Sequence, residues 1–534
     1  MNKKILITLG LISLLYFLIF LLPNNAGAEN LEMISIFEPD EFAQYPHLIK
    51  MLEFRGDTLR HKTWNFVAYQ HYYYGFPFYA YSALWLLPVK WISSLANVQL
   101  NMLLLRQFVS VLPMITTFCL MVYIQTSFEE FWKSVLLFGF LLSIPMVIKN
   151  NLWWHPDSLA ILFCVLVFLF LKRDGLEFKE NFYFAAIAVG LATGTKMLGW
   201  FFFLTIPLYL IIGILEHKIN WLELIKKAVI FLLIMSLTIL ISNPALIHPL
   251  DRAQYLKIQK AQSAAMSFGW NVSYQKGPSS WFDIINEYYG HWIFLILLAV
   301  SLGIGVINKK TRLTNILILS WIIPMLVYIL FFVAIKPKHL LLPIAIPFYS
   351  SLVNIIPNRE NFQSNRMKAV SIFIPLLILL FQFGSNLNWD YQQLKNTSTR
   401  EESHPALAFY SRLESSIFDC LPDDYHITVF RDVRAYVPST PTREVIMNWE
   451  IVDYEYMERL NPDVIVLQQQ KINDYTKPDI VNSAQDKNQM QRTFDFYSDA
   501  RQNELNNYKF LFEDDYGAVF IQGDLSELID CGRP

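Results

Sequence analysis

Charge is what this chain has least of. Only 16% of its 534 residues are Asp, Glu, Lys or Arg, against about 25% in soluble globular domains. Hydrophobic residues make up 54%, too many to hide in solvated folds, so most of the chain belongs in a bilayer. The charges it has nearly cancel, at a formal net of -2, which leaves no basic excess for a nucleic acid. Cysteine is scarce too. None of the four sits in a Cys-x-x-Cys pair, so neither a zinc knuckle nor a dithiol redox centre is expected. Cys119 and Cys164 fall in apolar runs as small core residues. Cys420 and Cys531 fall in a polar tail and are candidates for one disulfide if that tail lies outside the cytoplasm. Internal repeats and mid-span charges are also missing, which argues against a repeat-built transporter.

The long apolar runs set the organisation. Lys3-Lys4 followed by the run 5–22 reads as a first span with a cytoplasmic N-terminus. Ala26-Gly27-Ala28 resembles a signal-peptidase site, but the run exceeds an ordinary signal core and a retained anchor is expected. Further spans are expected at 106–125, 132–149, 157–171, 228–243, 291–307, 313–335, 339–356 and 369–385. The stretch 182–215 is read as two short spans, which brings the total to eleven. The segment 76–95 is apolar but holds Pro77, Pro88 and many aromatics, the composition of a helix lying at the interface. With this parity the basic residues gather in cytoplasmic connections such as 172–179 and 309–312. The short outer connections keep only Lys149, Lys196, Lys336 and Lys338, as the positive-inside rule requires.

The expected architecture is a polytopic α-helical membrane domain, 1–385, with outer loops at 24–105 and 244–290, followed by an extracytoplasmic α/β domain, 386–534. It reads as a multi-pass protein of the plasma (inner) membrane. In the tail, short apolar runs at 427–430, 445–447 and 464–467 are bounded by turn residues, and 508–512 and 518–521 flank an acidic turn as a hairpin.

The outer connections carry a sparse polar set. Asp40 and Glu41 follow the first span at the start of an amphipathic helix, where acids also suit the helix dipole. Tyr74 precedes the interfacial segment. His155 and Asp157 begin the fourth span, Lys196 occupies the bend inside 182–215, and Lys338-His339 begin the tenth span. Acids and cations at one interface suit displacement of a lipid-borne phosphate by a hydroxyl. A carboxylate removes the acceptor's proton as general base, and an ammonium offsets charge on the departing phosphate. Lys196, drawn toward hydrocarbon by short flanking spans, is the most telling cation. No ligand set for a metal is apparent, although a divalent ion is not excluded.

Read in order, these segments resemble the GT-C glycosyltransferases. The resemblance is to the bacterial family-39 enzymes related to protein O-mannosyltransferases and to lipid A aminoarabinose transferase. Asp40-Glu41 resembles the family's first-loop acids, and Tyr74-Gly75-Phe76-Pro77 its segment before the interfacial helix. His155-Pro156-Asp157 resembles its second-loop Asp, and 190–196 its Gly-Leu-Ala to Thr-Lys run. Asn243-Pro244 and 338–343 resemble its Asn-Pro and Arg-Tyr-Leu-Leu-Pro elements, the last with Lys338-His339 in place of Arg-Tyr.

The resemblance implies inverting transfer of a sugar from a polyprenyl-phosphate donor on the extracytoplasmic face, to a lipid, glycan or protein acceptor. Asp40 would be the base, and Glu41 and Asp157 would orient it or the acceptor. Lys196 and Lys338 would hold the donor phosphate, with Tyr74, His155 and His339 lining the substrate site. No cofactor is implied beyond the lipid-linked donor. The alternatives are a polytopic transporter or lipid-carrier flippase, and a scaffold whose outer domain binds an envelope partner.

Overall fold

A computed structural model of the chain describes residues 2–92, 95–268, 276–356, 366–448, 452–484 and 486–525. The chain forms two compact units. One comprises 1–25, 47–262 and 276–398, and the other 26–46, 263–275 and 399–534.

The first unit is helical and marks a multi-pass membrane protein. Among the described residues, five of its helices are long and apolar enough to cross a bilayer, within Lys3–Asn25, Val98–Thr126, Leu198–Leu215, Trp221–Ser242 and Arg312–Phe332, and two bent pairs raise the number to seven. Helical segments also cover the other stretches expected to span. The bends have local causes. Pro145 opens the helix Pro145–Asn151 and, lacking an N–H, cannot continue the one before it, so the two meet at 63°. Gly290, with a φ of 108°, separates Phe282–Tyr288 from Trp292–Ile307. In Trp221–Ser242 the one buried residue is Phe231, while Leu233, Leu237 and Ile241 are exposed. Such an apolar surface is stable only against lipid.

The stretch 182–215 does divide in two. The helix Glu180–Lys196 ends where Met197 turns left-handed at a φ of 58°, and Leu198–Phe203 and Thr205–Leu215 follow. Small residues let it pack closely. A Cβ on Gly190 would come within 2.7 Å of Thr238 on Trp221–Ser242, the close approach that small residues allow between membrane helices. Phe76–Ile92 is one helix of 17 residues and is not among the five long apolar ones.

The second unit is built on a five-stranded sheet in the order β2-β1-β3-β5-β4. Its strands are β1 Ile427–Arg431, β2 Arg443–Met447, β3 Val464–Gln468, β4 Tyr508–Glu513 and β5 Gly517–Gln522. All five were expected from their apolar runs. β1 runs parallel to β2 and β3, while β5 pairs antiparallel with β3 and β4. Alternating side chains fill two cores. Val429, Val464 and Val519 pack with Phe409 and Leu413, and Phe430, Ile465 and Phe520 pack with Phe496 and Tyr497. The polar tail expected from 386 begins inside the helix Arg366–Ser398, and the units change at 398–399.

Residues 26–46 belong to this second unit. The helix Leu31–Phe37 sets Met33 and Ile36 against Ala406 and Tyr436. Asn30 Nδ2 donates to Tyr436 Oη at 3.2 Å, Arg400 Nη2 donates to Ala26 O at 2.6 Å, and Arg400 pairs with Glu38 at 3.6 Å. Cys531 lies outside the described residues, and its candidate pairing with Cys420 lies there with it.

Candidate active site

Two glycines bring three separated segments of the first unit together. Gly75 N donates to Thr195 O at 3.0 Å, and a Cβ on Gly75 would fall 1.5 Å from Gly194 O. Only glycine permits that approach. A Cβ on Gly194 would in turn meet the Asn243 amide at 2.6 Å. Asn243 Oδ1 accepts from Phe76 N at 2.9 Å, which fastens the start of the helix Phe76–Ile92. Tyr74-Gly75-Phe76, Gly194-Thr195-Lys196 and Asn243-Pro244 therefore form one junction.

Asp157 stands beside that junction. It begins the helix Asp157–Asp174, where its charge complements the positive end of the dipole, and Lys196 complements the negative end of its own helix. The two meet, Lys196 Nζ donating to Asp157 Oδ1. Asp157 is 2% exposed, so the ammonium answers a carboxylate that burial alone would not tolerate. Lys196 also lies 5.9 Å from the centre of the Tyr74 ring.

Two imidazoles close the site. His155 Nδ1 lies 2.8 Å and His339 Nε2 3.9 Å from Asp157 Oδ2. Tyr74 Oη and His155 Nε2 are 2.8 Å apart, and Trp153 stacks flat on His155 at 4.1 Å and 3°. His339 lies 5.1 Å from His155, ring to ring. Lys338, next in sequence, hydrogen-bonds Tyr288 Oη. Five of the residues singled out from sequence, Tyr74, His155, Asp157, Lys196 and His339, thus share one cluster, with His155 and Asp157 buried and the other three half-buried. Sequence reading missed Trp153 and Tyr288, which announced themselves only as aromatics in a chain full of them.

His155, Asp157 and His339 each offer a ligand atom, all within 4.8 Å of one another. A nitrogen-and-oxygen trio of this kind suits a divalent transition ion. The other oxygen of Asp157 is taken by Lys196, so positive charge is already present beside the carboxylate.

Outside the spans, residues 69–79 pack a second aromatic cluster. Tyr72 Oη donates to Asp251 Oδ1 at 2.6 Å, and Tyr79 Oη and His71 Nδ1 share a hydrogen bond at 2.6 Å. Burial and the neighbouring His47 hold the His71 imidazole down at about 3.

The second unit holds the other two acids, in the first turn of the helix Pro39–Leu52. Asp40 is exposed and Glu41 is fully buried. The helix start is bracketed by cations: Arg400 on Glu38, and Arg431, 5.9 Å from the Phe42 ring centre.

No family model and no curated protein matches the sequence. Solved structures do match the fold. ArnT from Cupriavidus metallidurans bound to undecaprenyl phosphate aligns with a TM-score of 0.55 over 98% of this chain and 99% of that one, at 11% identity. The same protein in its apo state aligns at 0.53 over 96% and 97%, at 10% identity. Likeness at this identity establishes architecture, and the chain carries the GT-C fold of ArnT.

Proposed function

We propose that this chain is an integral membrane glycosyltransferase with eleven spans, moving a sugar from a polyprenyl-phosphate donor to an acceptor hydroxyl on the extracytoplasmic face. The observation that carries the reading is the cluster of Asp157, Lys196, His155, His339 and Tyr74, assembled from segments far apart in sequence on a fold shared with ArnT. A structural core has no need of a buried carboxylate and imidazole with an ammonium and a second imidazole half-buried beside them, since burying the carboxylate is costly.

In the proposed reaction the Asp40 carboxylate takes the proton of the acceptor hydroxyl, whose oxygen attacks the anomeric carbon from the face opposite the phosphate. The bond from that carbon to the phosphate oxygen breaks, its electron pair leaves with the polyprenyl phosphate, and configuration inverts. Asp40 is the exposed acid of its pair and so the one a substrate reaches. Asp157 fixes Lys196, and Tyr74 and Trp153 hold the His155 ring. Lys338 offsets charge on the leaving phosphate.

The test is turnover of the purified protein with a panel of polyprenyl-phosphate sugars, read as release of polyprenyl phosphate. Release from at least one donor is expected, and none from any donor overturns the proposal. Asp40→Asn should slow release by about 10²- to 10⁴-fold, the usual worth of general-base catalysis. A folded Asp40→Asn protein that turns over normally removes Asp40 from the role. With Lys196 already on Asp157, release should also survive a chelator. Loss in EDTA that Mn²⁺ or Zn²⁺ restores would instead make His155, Asp157 and His339 ligands.

A further inference from the structure

Two helices of the first unit face each other across an apolar groove. Leu136, Gly139 and Phe140 repeat at helical spacing on Phe131–Leu142, and Leu376, Leu380 and Phe383 do so on Arg366–Ser398. These stripes line a space of about 930 Å³, together with Ile12 of the first span. At one end the rings of Phe140 and Phe383 meet at 5.1 Å. From there the lining runs back to Glu130, about 15 Å away at 1.5 Å per residue. At this mouth Lys133 Nζ pairs with Glu130 Oε1 at 3.1 Å, the lysine half-buried and the acid exposed. Trp132, between them in sequence, is exposed, as aromatics are where hydrocarbon meets headgroups.

The walls and the mouth ask for different chemistry. Leu136, Leu376 and Leu380 are exposed, a surface stable only against lipid. An empty apolar space forfeits dispersion contacts along its lining, and a lipid chain, as apolar as leucine, supplies them. At the mouth a lone lysine would gather any anionic headgroup. Glu130, with Glu129 exposed beside it, repels one. An acid and an ammonium side by side match instead a headgroup that carries both signs. A primary ammonium donates to the Glu130 carboxylate, which a quaternary one, having no N–H, cannot do.

We propose that this groove binds one zwitterionic aminophospholipid, of the phosphatidylethanolamine class. An acyl chain lies between the two helices, the phosphate meets Lys133, and the ammonium meets Glu130. Bound there, the lipid braces the first span, Phe131–Leu142 and Arg366–Ser398 against one another. No lining residue takes part in the proposed sugar transfer, so the lipid site stands or falls without it.

The experiment is native mass spectrometry of the full chain after incubation in detergent with equal amounts of phosphatidylethanolamine, phosphatidylcholine and phosphatidylglycerol bearing the same chains. One phosphatidylethanolamine should stay bound, preferred about fivefold over either rival, the worth of one part-exposed ion pair. Gly139 offers the decisive variant, since among the described residues a Cβ there meets only Phe383, at 4.0 Å. Gly139→Leu should fill the groove and lose the lipid, while the melting temperature in detergent holds or rises. Leu380→Trp, narrowing the groove from the other wall, should lose it too and serves where Gly139→Leu misfolds. Glu130→Gln should erase the preference over phosphatidylcholine, and Lys133→Gln should weaken retention of all three lipids. Undiminished retention by the folded groove-filling variants overturns the proposal. So does equal retention of the three lipids by the wild-type chain, which makes the groove an unselective stretch of lipid-facing surface. No retained lipid at all would leave the groove to a helix of another protein, and overturns it as well.

Discussion

Asp40 and Glu41 are neighbours in sequence and opposites in exposure, one at the surface and the other fully buried. The helical period forces that split, because consecutive residues point about 100° apart. Asp157 and Lys196 form the complementary case, remote in sequence and bonded in space. Removing one partner of a buried pair leaves an unanswered charge, which costs about 3–5 kcal/mol. Lys196→Met should therefore lower stability by about that amount, and Lys196→Met with Asp157→Asn should recover part of it. Thermal or denaturant unfolding of both variants measures the coupling, and purely additive losses would refute it. His71 supplies a pH prediction. Its folded pKa of about 3 lies below the usual 6.5, so the unfolded chain binds the extra proton between those values. The His71 contribution is complete above pH 6.5 and is lost as pH falls toward 3. Hydrogen-exchange protection over 69–79, taken relative to the intrinsic rate at each pH, should fall across that window, and His71→Phe should flatten the dependence.

At the level of elements, glycines decide where chains may touch. Gly75→Ala drives a methyl group into Gly194 O at 1.5 Å, whereas a Cβ on Gly303 meets nothing within 4 Å. Gly75→Ala should abolish or severely reduce the folded yield. Gly303→Ala should be neutral or stabilising by up to about 1 kcal/mol, the helix propensity difference. Fluorescence-detected size exclusion with a melting curve separates them, and equal behaviour would refute the junction described at Gly75. The five strands were legible because each is a short apolar run between turn residues, which sheet period and turn chemistry both mark. The end of the helix at Lys196 was legible too, since 182–215 is too long for one crossing. His339 meeting Asp157, and Lys338 meeting Tyr288, were not. Such contacts depend on how helices pack, and neither composition nor period records packing. The sharp bend at Gly290 was hidden as well, because a single glycine between apolar helices has several readings.

For the whole molecule, the membership of 26–46 in the second unit matters most. Met33 and Ile36 read in sequence as part of an outer loop, yet their packing partners Ala406 and Tyr436 come from the opposite end of the chain. Arg400 ties this segment down through Glu38 and Ala26. Arg400→Ala should raise hydrogen exchange across 31–46 more than tenfold while leaving β1 and β3 protected. Uniform loss across the sheet would instead make Arg400 a support of the entire unit. The same arrangement has a consequence during synthesis. Residues 26–46 leave the ribosome several hundred residues ahead of the strands and helices that complete their fold. Until 399 onward is translated, the turn bearing Asp40 lacks Arg400, Ala406 and Tyr436. A chain stalled or clipped before that point would hold its motifs in the bilayer with the acid unseated. Completion of translation thus completes the packing around Asp40.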